Sequence, residues 1–537
     1  MTSRSGSGIV FPGTKNHKDK QERSRRRSSP ENRMKKQFLV LLLCLCCICP
    51  QCSLADPSPS FSWYEVFVRS YQDSNGDGIG DLPGLTSRLD YIKDLGFDGI
   101  WLMPIMPSPS YHKYDVTDYK NVDPEYGTVD DLKQLVQACH SRGIRLILDL
   151  PLNHTSTLHP WFQEAVQALR SGSTENTRIA YYHFSHTPGS VQTPVEGSDW
   201  FYEEQFQGGG MPDLNLDNPE VMEEIRSIIH FWLNDCDVDG FRLDSVTNFD
   251  TGNTEHNIEL LNGIRDICTE CRPGSFLVAE AWTGLSQLAE YYRSTIDSFF
   301  LFPASQAEGW IARSLRSRQP AKTYCGYLQD LQNAIPDGLL ATFLSNHDTG
   351  RAVGSLQGRS RPETVKFAHT ALAMLGGCTF TYYGEEIGMV GSGDDPNKRL
   401  AMYWNDSDMT LQPPGTTKIE YAYPCADEQL KDPDSLLHYI RRLNEIRKQY
   451  PVLSSRVSEI CYSDPYSCVL RKKNMDSEVF VCMNLSASRE VSIPVGKSAE
   501  ALAGLQATEA AFSLSSGVLT LPPYSLVVLS SYEPSRP

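Results

Sequence analysis

At 537 residues, with 40% hydrophobic side chains, the chain is too long for one ordinary domain and apolar enough to bury a large core. Its formal net charge of −17 excludes nucleic acid and anionic lipid surfaces as electrostatically favoured partners. No apolar run reaches the roughly 18 residues of a membrane-spanning helix.

The first 55 residues read as a processing signal. Residues 1–36 are polar and basic, with "RSRRR" at Arg23–Arg27. An apolar run follows, "QFLVLLLCLCCIC" (Gln37–Cys49), about the length of a signal-peptide core. Ser53 and Ala55 offer small residues for cleavage before Asp56, and Met34 with Lys35 and Lys36 forms an alternative start. The expectation is an exported protein, secreted or periplasmic. A membrane anchor would need a longer run than this one, which Pro50 closes. Cys44, Cys46, Cys47, Cys49 and Cys52 leave a lipid-modified cysteine open, although none stands in a clean lipobox. The tail 1–55 holds 11 Lys and Arg against 3 Asp and Glu, so the remainder falls from −17 to −25. That charge suits a neutral substrate, a calcium site or plain solubility.

From residue 56 to about 452, apolar β-rich runs alternate with amphipathic stretches. The runs are "WYEVFV" (63–68), "GIWLM" (99–103), "IRLILD" (144–149), "DGFRLD" (239–244), "FLVAE" (276–280), "DSFFLF" (297–302), "ATFLS" (341–345) and "CTFTYY" (378–383). Near-continuous apolar runs of this length predict strands covered on both faces. Helical patterns lie between them, such as Thr128–Gly143, which opens on a Thr cap and closes on Gly. Eight strands alternating with helices predict an α/β fold, a (β/α)8 TIM barrel. The interval 151–217, after the third strand, is too long for a simple crossover and predicts a small inserted subdomain. From about 453 to 537 the pattern turns to short alternating strands, predicting a C-terminal antiparallel β-sandwich.

Just after the first strand comes "DSNGDGIGD" (Asp73–Asp81). Asp73, Asn75, Asp77 and Asp81 alternate like the oxygen ligands of an EF-hand loop, with Gly78 at its turning position. An EF-hand needs a helix on each side and an acid at position twelve. Here a strand enters and position twelve is Gly84, so a calcium switch is not expected. Of the ten cysteines after the leader, Cys268/Cys271 and Cys461/Cys468 are locally close. A disulfide or free thiols are the expected states, ahead of zinc or redox chemistry.

Active sites of such barrels gather at the C-terminal strand ends. Asp149 ends the third strand, with Asn153 and His154 just beyond; Arg242 and Asp244 end the fourth, Glu280 the fifth, and Asn346, His347 and Asp348 follow the seventh. Three carboxylates free of a Cys/His metal cluster suit glycosidic cleavage. One attacks the anomeric carbon, a second donates a proton and later activates water, and a third stabilises the oxocarbenium-like transition state.

In order and spacing, "DLPLNH" (149–154), "GFRLD" (240–244), "VAEAW" (278–282) and "SNHD" (345–348) resemble the four signature segments of the α-amylase family, glycoside hydrolase family 13. "MPDLNLDNP" (211–219), "GFDGIWLMPI" (96–105) and "YYGEEIGM" (382–389) resemble further segments of it. The resemblance implies Asp244 as nucleophile, held by Arg242, with Asp149 anchoring that arginine. It implies Glu280 as general acid/base and Asp348 as transition-state stabiliser. His154, His347 and Tyr114 would meet the sugar at the point of cleavage, Arg351 would join in substrate binding, and 151–217 would be the family's B domain. Relatives with the same "DSNGDG" loop imply a structural Ca2+ on Asp73, Asn75, Asp77, Asp81 and the carbonyl of Ile79.

An α-glucan is the implied substrate and a monomer the expected state. Two departures touch specificity. Thr247 and Asn248 stand where α-amylases of the family usually carry Lys-His, which is closer to oligo-α-glucosidases. Tyr111 stands where exo-acting members commonly carry an Asp, which favours an open cleft. An oligo-α-glucosidase or a transglycosylating relative is the alternative. A non-catalytic transporter heavy chain is a third reading, opposed by the intact carboxylate set and the missing span.

Overall fold

All eight apolar runs become strands of one closed barrel: β1 (Ser62–Val66), β2 (Gly99–Leu102), β3 (Arg145–Leu150), β4 (Gly240–Leu243), β5 (Phe276–Ala279), β6 (Ser298–Phe300), β7 (Leu339–Phe343) and β8 (Cys378–Tyr382). The computed structural model describes residues 61–173, 176–356 and 361–533. The leader, Met34 and the Cys44–Cys52 cluster lie outside the described residues. Each strand pairs in parallel with its sequence neighbours, and β1 closes on β8.

Large rings fill the barrel interior. Trp63 stacks on Phe276 and Phe380, with centroids 5.1 and 5.7 Å apart, and Trp101 packs on Phe300. Gly99 makes room for Trp63: a Cβ there would come within 2.3 Å of the indole. The outer helices follow their caps. In the helix Val129–Ser141, Thr128 and Asp131 form a reciprocal capping box, and the chain leaves through Gly143 in the left-handed region, φ 64°.

The register prepares the mouth. Asp149 of β3 lies beside Arg242 of β4, so the two side chains meet at the strand ends. At the opposite end, Arg447 is fully buried and donates to Ser62 Oγ, Thr379 Oγ1, the Gly377 carbonyl and Ser454 Oγ at 2.7–3.0 Å. This one guanidinium joins the starts of β1 and β8 to the last barrel helix, Leu436–Gln449.

Between β3 and β4 the chain forms the helix Pro160–Ser171 and a small antiparallel sheet, in which Phe201–Glu203 pairs with Phe184–Ser185 and Gln192–Pro194. Phe162 holds it together, packing on Tyr182, Phe184 and Tyr202. After the barrel, a five-stranded and a three-stranded antiparallel sheet enclose Val469, Cys482, Ile493, Leu519, Leu521, Val527 and Leu529. Cys268, Cys271, Cys461 and Cys468 carry free thiols, as do the other six cysteines of the described residues. Cys268 and Cys271 lie a turn apart on the helix Thr254–Cys271.

Candidate active site

The ends of three strands, β3, β4 and β5, converge on one cation. Arg242 Nη1 reaches Asp149 Oδ1 at 2.9 Å and Asp244 Oδ1 at 2.5 Å, while Nη2 lies 2.8 Å from Glu280 Oε2. The guanidinium is fully buried, against the Trp101 ring. Burial opposes its charge, but Asp149 and Glu280 overcome that and hold it firmly cationic.

The backbone helps to aim Glu280. Ser245, directly after Asp244, sits in the left-handed region at φ 52°, a strained position for a non-glycine residue. The turn points its amide at Glu280 Oε2, 3.1 Å away. Glu280 Oε1 is buried with no partner in the protein. Burial pushes the Glu280 pKa up to about 7, with Arg242 opposing the rise. A carboxyl that keeps its proton near neutrality, with one oxygen unengaged, is suited to general acid chemistry.

Across the mouth stands Asp348. Its Oδ2 meets His347 Nε2 at 3.0 Å and its Oδ1 meets Arg399 Nη2 at 3.0 Å. Burial would raise its pKa, but His347 and Arg399 hold it far below the usual carboxylate range. Tyr114 joins the two sides: its hydroxyl donates to Asp149 Oδ2 at 2.9 Å and lies 2.6 Å from His347 Nε2, with the rings stacked. His154 is buried, and burial lowers its pKa against the pull of Asp244. Its Nε2 faces the Tyr114 carbonyl at 3.2 Å, and its Nδ1 has no protein partner.

These groups open on a cavity of about 530 Å³, within the range of small-molecule sites. Asp244, Glu280 and Asp348 all line it, together with Tyr114 and His154. Arg242 and His347 stand behind the wall and act through the residues in front of them. Arg351 is elsewhere: fully buried, it donates to the carbonyls of Lys398 and Tyr383 and covers the Tyr382 and Tyr383 rings, so it braces the loop after β8.

The arginine that does reach the cavity is Arg399, paired with Asp395 at 3.0 Å. Arg399 was not among the residues expected at the site. Phe206, Met211, Trp282, Thr247 and Asn248 complete much of the wall. Trp282 is half exposed and stacks on Phe302 at 4.6 Å, a flat ring at the rim beside Glu280.

The loop after β1 is a separate arrangement. Asp73 accepts from the amides of Asn75, Gly76 and Gly78, Asn75 Oδ1 from Asp77, and Asp77 Oδ1 from Ile79. Asp81 caps the next helix through Gly84 and takes the Ser74 amide and hydroxyl. Gly78, at φ 88°, accepts a hydrogen bond from the Leu411 amide, and a Cβ there would strike the Leu411 side chain. Among the described residues, no group of three or more His, Cys, Asp and Glu side chains is gathered as a metal cage. The donors expected of this loop include an amide and a backbone carbonyl. An all-oxygen set of this kind is the chemistry that fits a hard cation such as calcium.

Comparison with known proteins gives one family. The model described as "Alpha amylase, catalytic domain" matches residues 65–456. The chain is 35% identical to "Alpha-amylase 3" of Dictyoglomus thermophilum, over 79% of this chain and 84% of that protein. It is 29% identical to an "Oligo-1,6-glucosidase" of Parageobacillus thermoglucosidasius, over 80% and 90%. The solved structure of Eubacterium rectale Amy13B superposes with a TM-score of 0.85 at 38% identity, covering 89% of this chain and 96% of that one.

Proposed function

Because the chain belongs to the α-amylase family, glycoside hydrolases that act on α-glucans, we propose that it is an exported α-amylase cutting internal α-1,4 bonds of starch, glycogen or maltooligosaccharides with retention. The observation that carries this reading is the meeting of Asp244, Glu280 and Asp348 on one cavity, with Arg242 bridging Asp149, Asp244 and Glu280.

In the first step an Asp244 oxygen attacks the anomeric carbon while Glu280 gives its proton to the departing glycosidic oxygen. The C–O bond breaks and a glycosyl ester forms on Asp244. Asp348, held as a carboxylate, stabilises the positive charge that develops on the sugar ring. In the second step Glu280, now ionised, takes a proton from water. The water oxygen attacks the same carbon and frees Asp244, restoring the configuration. Arg242 keeps Asp244 aimed, and the unpartnered Nδ1 of His154 is placed to meet a sugar hydroxyl. Trp282, half exposed at the rim, offers a stacking face to a sugar in the cavity.

The proposal extends to a calcium ion in the Asp73–Asp81 loop, held by Asp73, Asn75, Asp77, Asp81 and the Ile79 carbonyl, stiffening the connection after β1. It extends also to export through the segment before Asp56 and to a monomeric enzyme.

A second reading, an oligo-α-glucosidase, has one observation in its favour. Asp395 and Arg399 line the cavity beside Asp348, with Arg399 also over the Tyr111 ring, and so put a charged pair on that side of the cavity. The products from maltoheptaose and isomaltose separate the two. Mixed maltooligosaccharides from internal cuts support the α-amylase; glucose alone, or rapid isomaltose hydrolysis, overturns it.

A further inference from the structure

Glu65 is the fourth of the five residues of β1 and is buried among the barrel side chains, with Trp101 beside it on β2 and Tyr382 on β8. Apart from Asp149, it is the only carboxylate set within a barrel strand. A carboxylate there is costly unless it is paired. Its partner is His347, whose Nδ1 lies 2.6 Å from Glu65 Oε1. On the other side of the same ring, Nε2 faces Asp348 Oδ2 at 3.0 Å and the Tyr114 hydroxyl oxygen at 2.6 Å.

The donor and acceptor count fixes the state of the ring. An ionised carboxylate accepts and does not donate. A ring held between two carboxylates therefore needs a hydrogen on each nitrogen. The Tyr114 hydroxyl gives its own hydrogen to Asp149 Oδ2, so toward His347 it too is an acceptor. We propose that Glu65 is a positioning residue: it holds His347 doubly protonated, so that His347 presents a fixed N–H cation to Asp348 at the catalytic mouth. This deepens the reading of Asp348 as transition-state stabiliser and rests on it.

The surroundings agree with this assignment. Glu65 and Asp348 face the ring from β1 and from the loop after β7. Tyr114 and, behind it, Asp149 face it from the β2 and β3 side, and Trp101 presents an edge at 5.6 Å. Arg399 is the cation close by: its Nε approaches the His347 carbonyl at 3.3 Å and its Nη2 is spent on Asp348. Glu385 lies farther out, bonded to Ser345. Burial opposes a charge on His347, but Asp348 and Glu65 outweigh it and push its pKa up to about 10. Asp348 is thus gripped at both oxygens, by His347 and by Arg399, each of them a cation.

Glu65→Gln keeps the size of the side chain and an acceptor for Nδ1 but removes the charge. The variant is expected to lose roughly 10- to 100-fold in kcat with KM changed by less than about threefold. Because Glu280, with a pKa raised to about 7, already sets the alkaline limb of the wild-type profile, a second proton loss, from His347, should steepen that limb in Glu65→Gln. Nitrogen NMR of the wild-type enzyme reads the ring directly. Both nitrogens of His347 should carry hydrogen at pH 8, and in Glu65→Gln the ring should titrate below that.

A wild-type kcat and pH profile in Glu65→Gln would overturn the inference. A neutral His347 ring in the wild-type enzyme at pH 8 would overturn it even if the variant failed to fold. Asp348→Asn separates the two levels of the argument. If Asp348→Asn stays active, the reading of the site fails, whereas an inactive Asp348→Asn beside an unaffected Glu65→Gln sinks only the role of Glu65.

Discussion

Two fully buried arginines mark the two ends of the barrel, and the protein treats them in opposite ways. Arg242, at the C-terminal mouth, is ringed by the carboxylates of Asp149, Asp244 and Glu280. Arg447, at the other end, meets hydroxyls and a carbonyl. Burial lowers the Arg447 pKa to about 10, and neighbouring groups do little to restore it. At Arg242 the same burial is overwhelmed by anions. The difference teaches what each end is for. Neutral acceptors around a cation satisfy hydrogen bonds and tie elements together. Three carboxylates around one cation keep charge in reserve: burial raises the pKa of Asp149 to about 6 and of Glu280 to about 7, and under the proposed mechanism Asp244 attacks while Glu280 holds the proton.

The comparison predicts opposite mutational signatures. The largest effect belongs to the mouth: Asp244→Asn should lower kcat on starch by about 10⁴-fold or more while the thermal midpoint stays within a few degrees. Near-normal turnover would remove Asp244 as nucleophile. Glu280→Gln should cost about 10³-fold on substrates with poor leaving groups, and less on an aryl glycoside that leaves without a proton. Since Glu280 must be protonated to act, and its pKa is raised to about 7, wild-type kcat/KM should fall as pH rises through that region. A profile flat to pH 9 would contradict this assignment.

At the other end, Arg447→Leu should do the reverse. It strands Ser62, Thr379 and the Gly377 carbonyl without their donor, and should cost about 2–4 kcal/mol of stability in urea titrations. The folded fraction should keep its kcat. A catalytic defect at unchanged stability would show that the two ends are not separable as argued. A smaller shift is expected from chelation: with EDTA the thermal midpoint should fall by a few degrees, reflecting about 1–3 kcal/mol of lost cation binding. An unchanged midpoint would favour a loop held by its own hydrogen bonds. Trp282→Ala is the mildest, raising KM by a few fold.

Much of the site was legible because chemistry and strand ends coincide in sequence. Asp149, Asp244, Glu280 and Asp348 each close or follow an apolar run, and the fold brings those ends together. Arg351 and Arg399 show the limit. Both follow barrel strands, and only Arg351 was expected at the site, yet Arg351 turns into the β8 loop and Arg399 into the cavity. Local sequence carries no direction for a side chain that leaves an irregular loop. Glu65 was invisible for a second reason. Inside a strand it reads as an ordinary polar position, and the partner that explains it is 282 residues away. Phe206 reaches the cavity from the excursion after β3, where no periodic pattern announces an inward face.

The sequence alone determined the eight-stranded alternation, since buried parallel strands must be apolar on both faces, and it determined which carboxylates stand at their ends. Only the tertiary structure decided how those carboxylates share protons and cations. The pairing of Asp149 with Arg242 depends on β-sheet register. The raised pKa of Glu280 depends on burial, and the gripping of Asp348 depends on Arg399 reaching it from the loop after β8 to join its chain neighbour His347. These are short-range electrostatic facts, most of them about atoms far apart in the chain, and a hydrophobic pattern encodes where a strand runs but not what charge lies 3 Å from its end.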